Sequence, residues 1–221
     1  MLEKNIKKSV KKSMFQFIET IHYRNGKMPL INWHNQRFLS TQKENWNAII
    51  YPNILDILQK KFENYRFEND LSYKIRLVYG QDYLQVEAEK YTQKSISELY
   101  LIHADEVNYS YKFFDRSKLN QLKSKISTEA EIIAVKQNHL TDTSFTNIAL
   151  YDGDKWYTPL DPLLKGVQRQ YLIEKNILHP KEILVQDISN YSQIALFNAM
   201  VDWEKAWKFP INQINPALLN L

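Results

Sequence analysis

Cysteine is absent from the 221 residues, which excludes a disulfide scaffold, a cysteine-ligated zinc ribbon and any thiol nucleophile. Glycine is nearly as scarce. Gly26, Gly80, Gly153 and Gly166 lie far apart, so neither a dinucleotide-binding fingerprint nor a phosphate-binding P-loop, both of which need clustered glycines, can be assembled. Long apolar runs are missing too: the longest uncharged stretch, Ile188 to Val201, falls short of the roughly 20 residues that span a bilayer. Met14 to Ile18 is interrupted by Glu19 too soon to serve as the apolar centre of a secretory signal, so a cytoplasmic location is expected. The five histidines, His22, His34, His103, His139 and His179, show no spacing that sets two on one helical or strand face beside a carboxylate, and no metal site is expected. No serine occupies a glycine-flanked nucleophile elbow. Lysine, carboxylate and tyrosine chemistry remain, or none.

What is present is a chain 44% apolar and 24% charged, enough to bury one substantial core or two small lobes. Its net charge of +4 is a property of one end: five lysines at positions 4, 7, 8, 11 and 12 stand against Glu3 alone, leaving the rest neutral. Such a tail could touch RNA or an anionic lipid surface, or simply aid solubility; the body carries no nucleic-acid signal. Phe15 to His22 reads as a strand, Arg24-Asn25-Gly26-Lys27 as a turn and Met28 to Ile31 as a short returning strand. A helix follows over about 33–46 with Trp33, Phe38, Leu39 and Trp46 inward, and Pro52-Asn53 opens a second carrying Ile54, Leu58 and Phe62. Tyr73 to Tyr79 and Tyr83 to Ala88 alternate around Gly80-Gln81-Asp82 as an antiparallel hairpin. The polar stretch Tyr91 to Ser110 is expected to cross between lobes.

Beyond it, Asp115 is placed as the N-cap of a helix with Leu119, Leu122 and Ile126 on one face. Ile132 to Val135, Ser144 to Leu150 and Lys155 to Thr158 read as strands, the last two joined by an Asp152-Gly153-Asp154 turn, and Ile194 to Phe197 as the final strand. A helix over Val167 to Lys175 opens at Gly166 after the loop Thr158-Pro159-Leu160-Asp161-Pro162, and its free N–H groups could hold an anion such as a phosphate. Every helix has such an end, so alone this is a weak pointer.

Taken in order, several segments resemble class IV aminotransferases, the fold-type IV pyridoxal phosphate (PLP) enzymes. These are His34-Asn35-Gln36-Arg37-Phe38 after Phe17-Ile18-Glu19-Thr20, then Tyr111-Lys112-Phe113-Phe114-Asp115-Arg116, then Leu140-Thr141-Asp142-Thr143-Ser144-Phe145-Thr146-Asn147-Ile148. Thr158-Pro159, Gly166-Val167-Gln168-Arg169 and Phe197-Asn198-Ala199 complete the set. The resemblance covers roughly residues 15 to 206 and leans toward the aminodeoxychorismate lyase branch. It implies an α+β fold of two lobes, a small N-terminal α/β lobe and a larger C-terminal mixed α/β pseudo-barrel. The expected division is a tail over 1–12, an N-terminal lobe over 13–100 and a C-terminal lobe over 101–221 carrying the PLP lysine.

Carried over residue by residue, the resemblance makes Lys112 the lysine that bonds covalently to PLP and then moves protons. An amine of that kind must be partly desolvated to be neutral near pH 7, which Tyr111, Phe113 and Phe114 could provide. Asp142 stands where the family usually has Glu, whose carboxylate pairs with the pyridine nitrogen; here it is one methylene shorter. Arg37 matches the arginine that binds the cofactor phosphate. Backbone N–H groups of Val167 and Gln168 meet the same phosphate, and Asn198 with Ala199 complete its cup. Gln168 replaces a commoner hydroxyl residue, which a backbone contact survives. Asn147 is expected to hold neighbouring strands. The chain is shorter than many family members, with trimming between Tyr83 and Tyr111. The resemblance implies a small-molecule amine substrate and a homodimer. It points to a lyase releasing pyruvate and 4-aminobenzoate on the way to folate; a branched-chain or D-amino acid transaminase, or a non-catalytic PLP-binding or scaffold descendant, are the alternatives.

Overall fold

The computed structural model describes residues 16–219, so the lysine-rich segment 1–12 lies outside the described residues. The described chain divides into two units. One holds the residues up to Thr92 together with Tyr111–Arg116; the other holds Gln93–Ser110 and everything from Ser117 onward.

In the first unit, β1 (Phe17–Arg24), β2 (Ser72–Gly80) and β3 (Tyr83–Lys90) form an antiparallel sheet in that order. The expected returning strand over Met28 to Ile31 does not form. Asn25 and Gly26 take the positive φ angles of 48° and 75° that a tight hairpin turn needs, but pairing stops at one bridge, Arg24 to Lys27. Pro29 has no N–H to extend it, and β1 pairs instead along its opposite edge with β2, in full register from Phe17 opposite Tyr79 to Arg24 opposite Ser72.

Ile31 instead starts α1 (Ile31–Trp46), and Asn53 caps α2 (Ile54–Phe62) by accepting the Leu55 N–H at 2.8 Å. The buried stripe of α1 is His34, Phe38, Thr41 and Gln42 rather than the tryptophans. Gln42 earns its burial by fastening the helix link: its Oε1 accepts from Ile50 and Tyr51 N–H at 3.0 and 2.9 Å. Phe17, Ile21, Phe38, Ile54, Leu58, Ile75, Leu77, Tyr79 and Val86 make the core.

The segment Tyr111–Arg116 joins this unit because it lies against β1. Phe113 bridges to Phe17, Ile18 N–H donates to the Lys112 carbonyl at 2.9 Å, and Phe114 N–H donates to the Gln16 carbonyl at 2.8 Å. Lys112 is therefore carried by the first unit, not by a lobe starting at residue 101, and the boundary is interleaved rather than single.

The second unit is built on a mixed sheet in the order β11-β10-β7-β6-β5-β4-β12, with β8 on β7 and β9 on β8. Its strands are β4 (Glu98–His103), β5 (Ala130–Lys136), β6 (His139–Thr143), β7 (Asn147–Tyr151), β8 (Trp156–Pro159) and β9 (Leu178–Lys181). β10 (Gln193–Phe197), β11 (Trp207–Pro210) and β12 (Ile214–Leu219) complete it. α3 (Ser117–Lys123) and α4 (Val167–Glu174) are its helices.

β4 lies inside the stretch read from sequence as a polar crossing. Leu99, Leu101 and Ile102 are buried there, parallel to both β5 and β12. The strand expected from Ser144 begins only at Asn147, because Thr143 and Thr146 close a turn: Thr143 N–H donates to the Thr146 carbonyl, and Thr146 N–H to Thr143 Oγ1, each at 2.9 Å.

Candidate active site

Two groups of predicted residues assemble, one in each unit. In the first, a fully buried carboxylate is the centre. Glu19 sits on the same face of β1 as Phe17 and Ile21, and its Oε1 and Oε2 accept from Arg37 Nε at 2.8 Å and Arg37 Nη2 at 2.6 Å. His34, one helical turn before Arg37, places Nδ1 2.6 Å from the same Oε2. Burial alone would raise the Glu19 carboxyl, but the Arg37 guanidinium and the His34 N–H outweigh it and hold it at about 2. Burial depresses His34, and the Glu19 carboxylate offsets this only in part, with the Arg37 and Lys112 charges adding to the depression. The imidazole is thus neutral at pH 7, with its proton on Nδ1; Nε2 is buried with no hydrogen-bond partner among the described residues.

Lys112 is half-buried, and its charge reaches His34. Phe113 N–H donates to the Tyr111 carbonyl at 2.8 Å, a three-residue turn centred on Lys112. Tyr111 and Phe113 both pack on Phe17, with ring centroids 5.9 and 5.5 Å away, while Phe114 is exposed.

In the second unit, Asp142 at the end of β6 faces Asn147 at the start of β7, the one pair of residues joining those strands in register. Asn147 Nδ2 donates to Asp142 Oδ1 and to the Leu164 carbonyl, and Leu164 N–H donates to Asp142 Oδ2, all at 2.8 Å. Asn147 holds neighbouring segments together, as its place in the sequence suggested. Burial pushes the Asp142 carboxyl up to about 7, against the pull of Asn147, Leu164 and the more distant Arg169 charge.

Gly166, the N-cap of α4, has ordinary extended backbone; it is glycine because a Cβ there would lie 2.0 Å from Asn147 Oδ1. Gly166→Ala is expected to cost about 1–3 kcal/mol, because the clash falls on a side chain already fixed by two hydrogen bonds. Thermal melts check this: a Tm matching the wild type would mean Asn147 gives way freely.

The first turn of α4, opening at Val167, carries no acidic residue and no side-chain cap. Gln168 turns its amide to the Val201 carbonyl at 2.8 Å, leaving Oε1 buried with no partner among the described residues. That bond ties α4 to the turn Asn198–Val201, closed by Val201 N–H on the Asn198 carbonyl at 3.2 Å. Asn198 Oδ1 accepts the Met200 N–H at 2.9 Å. The start of α4 at Val167 and Gln168 is thereby tied to the turn that carries Asn198 and Ala199. Arg169 is 4% exposed and donates to Thr158 Oγ1 and the Pro159 carbonyl. Among the described residues there is no cluster of histidines and acids able to hold a metal, and no helix long and apolar enough to cross a membrane.

The donor set fits PLP. Asp142 is a buried carboxyl whose raised value marks a charge short of a close cation, which a protonated pyridine nitrogen supplies, and α4 opens uncapped with its N–H groups available to a phosphate. Glu19 and His34 were not singled out by sequence reasoning. The signal was there: an acid on the apolar face of β1, and a histidine three residues before Arg37.

Comparison places this architecture among the fold-type IV PLP enzymes. The pattern of the amino-transferase class IV family matches residues 16–205, and the chain belongs to that family, whose cofactor is PLP. An uncharacterized protein of Haemophilus influenzae Rd is 31% identical over 189 residues, 85% of this chain and 98% of its own. The crystal structure of a candidate 4-amino-4-deoxychorismate lyase from Haemophilus somnus 129pt is 29% identical, with a TM-score of 0.77, over 84% of this chain and 96% of its own. A PLP-bound aminotransferase from Brucella abortus shares the fold, at 14% identity and a TM-score of 0.65 over 87% and 79% of the two chains. The shortness expected to be a departure is common to the two Haemophilus proteins, which this chain spans almost end to end.

Proposed function

We propose that the chain is a PLP-dependent 4-amino-4-deoxychorismate lyase, releasing pyruvate and 4-aminobenzoate. The observation that carries this is the near end-to-end likeness to the candidate lyase of H. somnus, at 29% identity and a TM-score of 0.77. Lys112 would hold the cofactor's carbonyl carbon; Arg37 and the N–H groups of Val167, Gln168, Asn198 and Ala199 its phosphate; and Asp142 its pyridine nitrogen. When bound, PLP supplies a ring that takes up the electrons of the bond broken at the substrate's amine-bearing carbon.

The chain's residues do the rest. Lys112 Nζ would remove the proton at the substrate's amine-bearing carbon and return one to the enolpyruvyl methylene carbon, so that the ether C–O bond to the carbocycle breaks, pyruvate leaves and the carbocycle becomes aromatic. Asp142 would balance the charge of the cofactor's ring nitrogen, and Arg37 would fix its phosphate end. The substrate supplies every atom of both products, so no further reactant is needed.

The test is spectroscopic and then chemical. A purified protein that is yellow, bleaches with borohydride and gains a pyridoxyl mass on Lys112 holds the cofactor as proposed. Pyruvate and 4-aminobenzoate formed from 4-amino-4-deoxychorismate then support the lyase. Formation of a keto acid from a branched-chain or D-amino acid with transfer of its amino group marks a transaminase instead. Bound cofactor with neither product marks a non-catalytic descendant.

A further inference from the structure

We infer that Glu19 is a positioning residue for the phosphate end of the site, acting through Arg37. The inference rests on the reading that Arg37 holds the cofactor phosphate. Glu19 is a fully buried carboxylate on the apolar face of a strand, where an aliphatic side chain would pack without desolvating a charge. Three hydrogen bonds fix it. Arg37 meets it side-on, Nε to Oε1 at 2.8 Å and Nη2 to Oε2 at 2.6 Å, and His34 Nδ1 adds the third at 2.6 Å on Oε2.

A guanidinium held at Nε and Nη2 has its plane and direction set, so the N–H groups of Nη1 and the outer one of Nη2 point one way only. His34 contributes no charge to the cluster, because its imidazole is neutral; it stops the carboxylate from rotating. The Arg37 charge is largely matched by Glu19. What Arg37 offers an anion is therefore aimed N–H donors more than net charge, and aim is what Glu19 provides.

The test compares two ligands that differ only in the phosphate, PLP and pyridoxal, by fluorescence titration of the full chain. The wild type is expected to prefer PLP, and Glu19→Gln, which keeps size but cannot accept both Arg37 donors, to lose that preference at least tenfold. Pyridoxal's own solution chemistry cancels, because the same ligands are used with every variant. Thr41→Val, which removes the hydroxyl bonded to the Tyr79 phenol in the same core, is expected to lower Tm and leave the preference unchanged. A wild type taking both ligands equally overturns the Arg37 reading itself. A preference that survives in Glu19→Gln, or affinities for both ligands that fall together, overturns the role of Glu19 alone. Should Glu19→Gln not fold, Glu19→Asp carries the test: the shorter carboxylate keeps its charge but misplaces it, and an unchanged preference overturns the inference.

Discussion

Lys112→Ala is expected to gain no pyridoxyl mass on borohydride reduction and to lose turnover by at least about 10³-fold. One side chain is asked both to bond the cofactor and to move the proton, and general acid–base work alone is worth about 10²–10⁴-fold. The fold should survive. The backbone at this position is anchored by the Ile18 N–H on the Lys112 carbonyl and by Phe114 N–H on Gln16, and the flanking rings of Tyr111 and Phe113 stay on Phe17. A half-buried lysine side chain adds little to such an anchor, so Tm should change by no more than a degree or two.

A second readout follows from the charge. Lys112 is among the groups that depress His34, so removing it should move the imidazole back toward its ordinary value, which proton NMR of the His34 ring resonances detects. Loss of the adduct with the His34 shift places the reactive amine beside the Glu19 cluster. Retained activity in Lys112→Ala would contradict the proposed function, and a lost adduct with a large fall in Tm would mean only that the segment had come away from β1.

Much of this was legible without coordinates, and the parts that were not share a cause. Strands with large apolar residues in strict alternation, such as Tyr73 to Tyr79, announce themselves, and so does a capped helix such as α2 behind Asn53. β4 did not, because Glu98, Tyr100 and His103 interrupt Leu99, Leu101 and Ile102, and a parallel strand takes its partners from distant sequence. The hairpin at Asn25-Gly26 was read correctly as a turn and wrongly as a pair of strands, since Pro29 and the helix that starts at Ile31 end the pairing after the single Arg24–Lys27 bridge.

The site followed the same rule. Motif positions were readable one at a time. That Arg37 is clamped by Glu19, or that Gln168 turns to Val201, depends on side chains brought together from separate elements, and no local pattern carries that.

Asp142→Asn is expected to cut turnover by about 10²–10³-fold, the size of effect that follows loss of one preorganised electrostatic contact. The same substitution should remove a pH dependence from the stability of the cofactor-free protein. Burial raises the Asp142 carboxyl from its ordinary 3.8 to about 7. A carboxyl raised on folding gives stability that is fully present below its unfolded value and is lost as pH climbs through the folded one. The wild type should therefore weaken, relative to Asp142→Asn, between about pH 4 and pH 7, by up to about 4 kcal/mol.

Above pH 7 the difference should be level, because Asp142 is then ionised in both states. Denaturant melts of the two cofactor-free proteins across that range measure it. With PLP bound, a protonated ring nitrogen beside the carboxylate supplies the cation that burial leaves it short of, so the wild-type melts should flatten and the window move to lower pH. Melts of wild type and Asp142→Asn that run parallel from pH 4 to 8 would show that Asp142 bears no such burden. The shorter carboxylate would then have no electrostatic reason to recruit the pyridine nitrogen, and the electron sink would need another anchor.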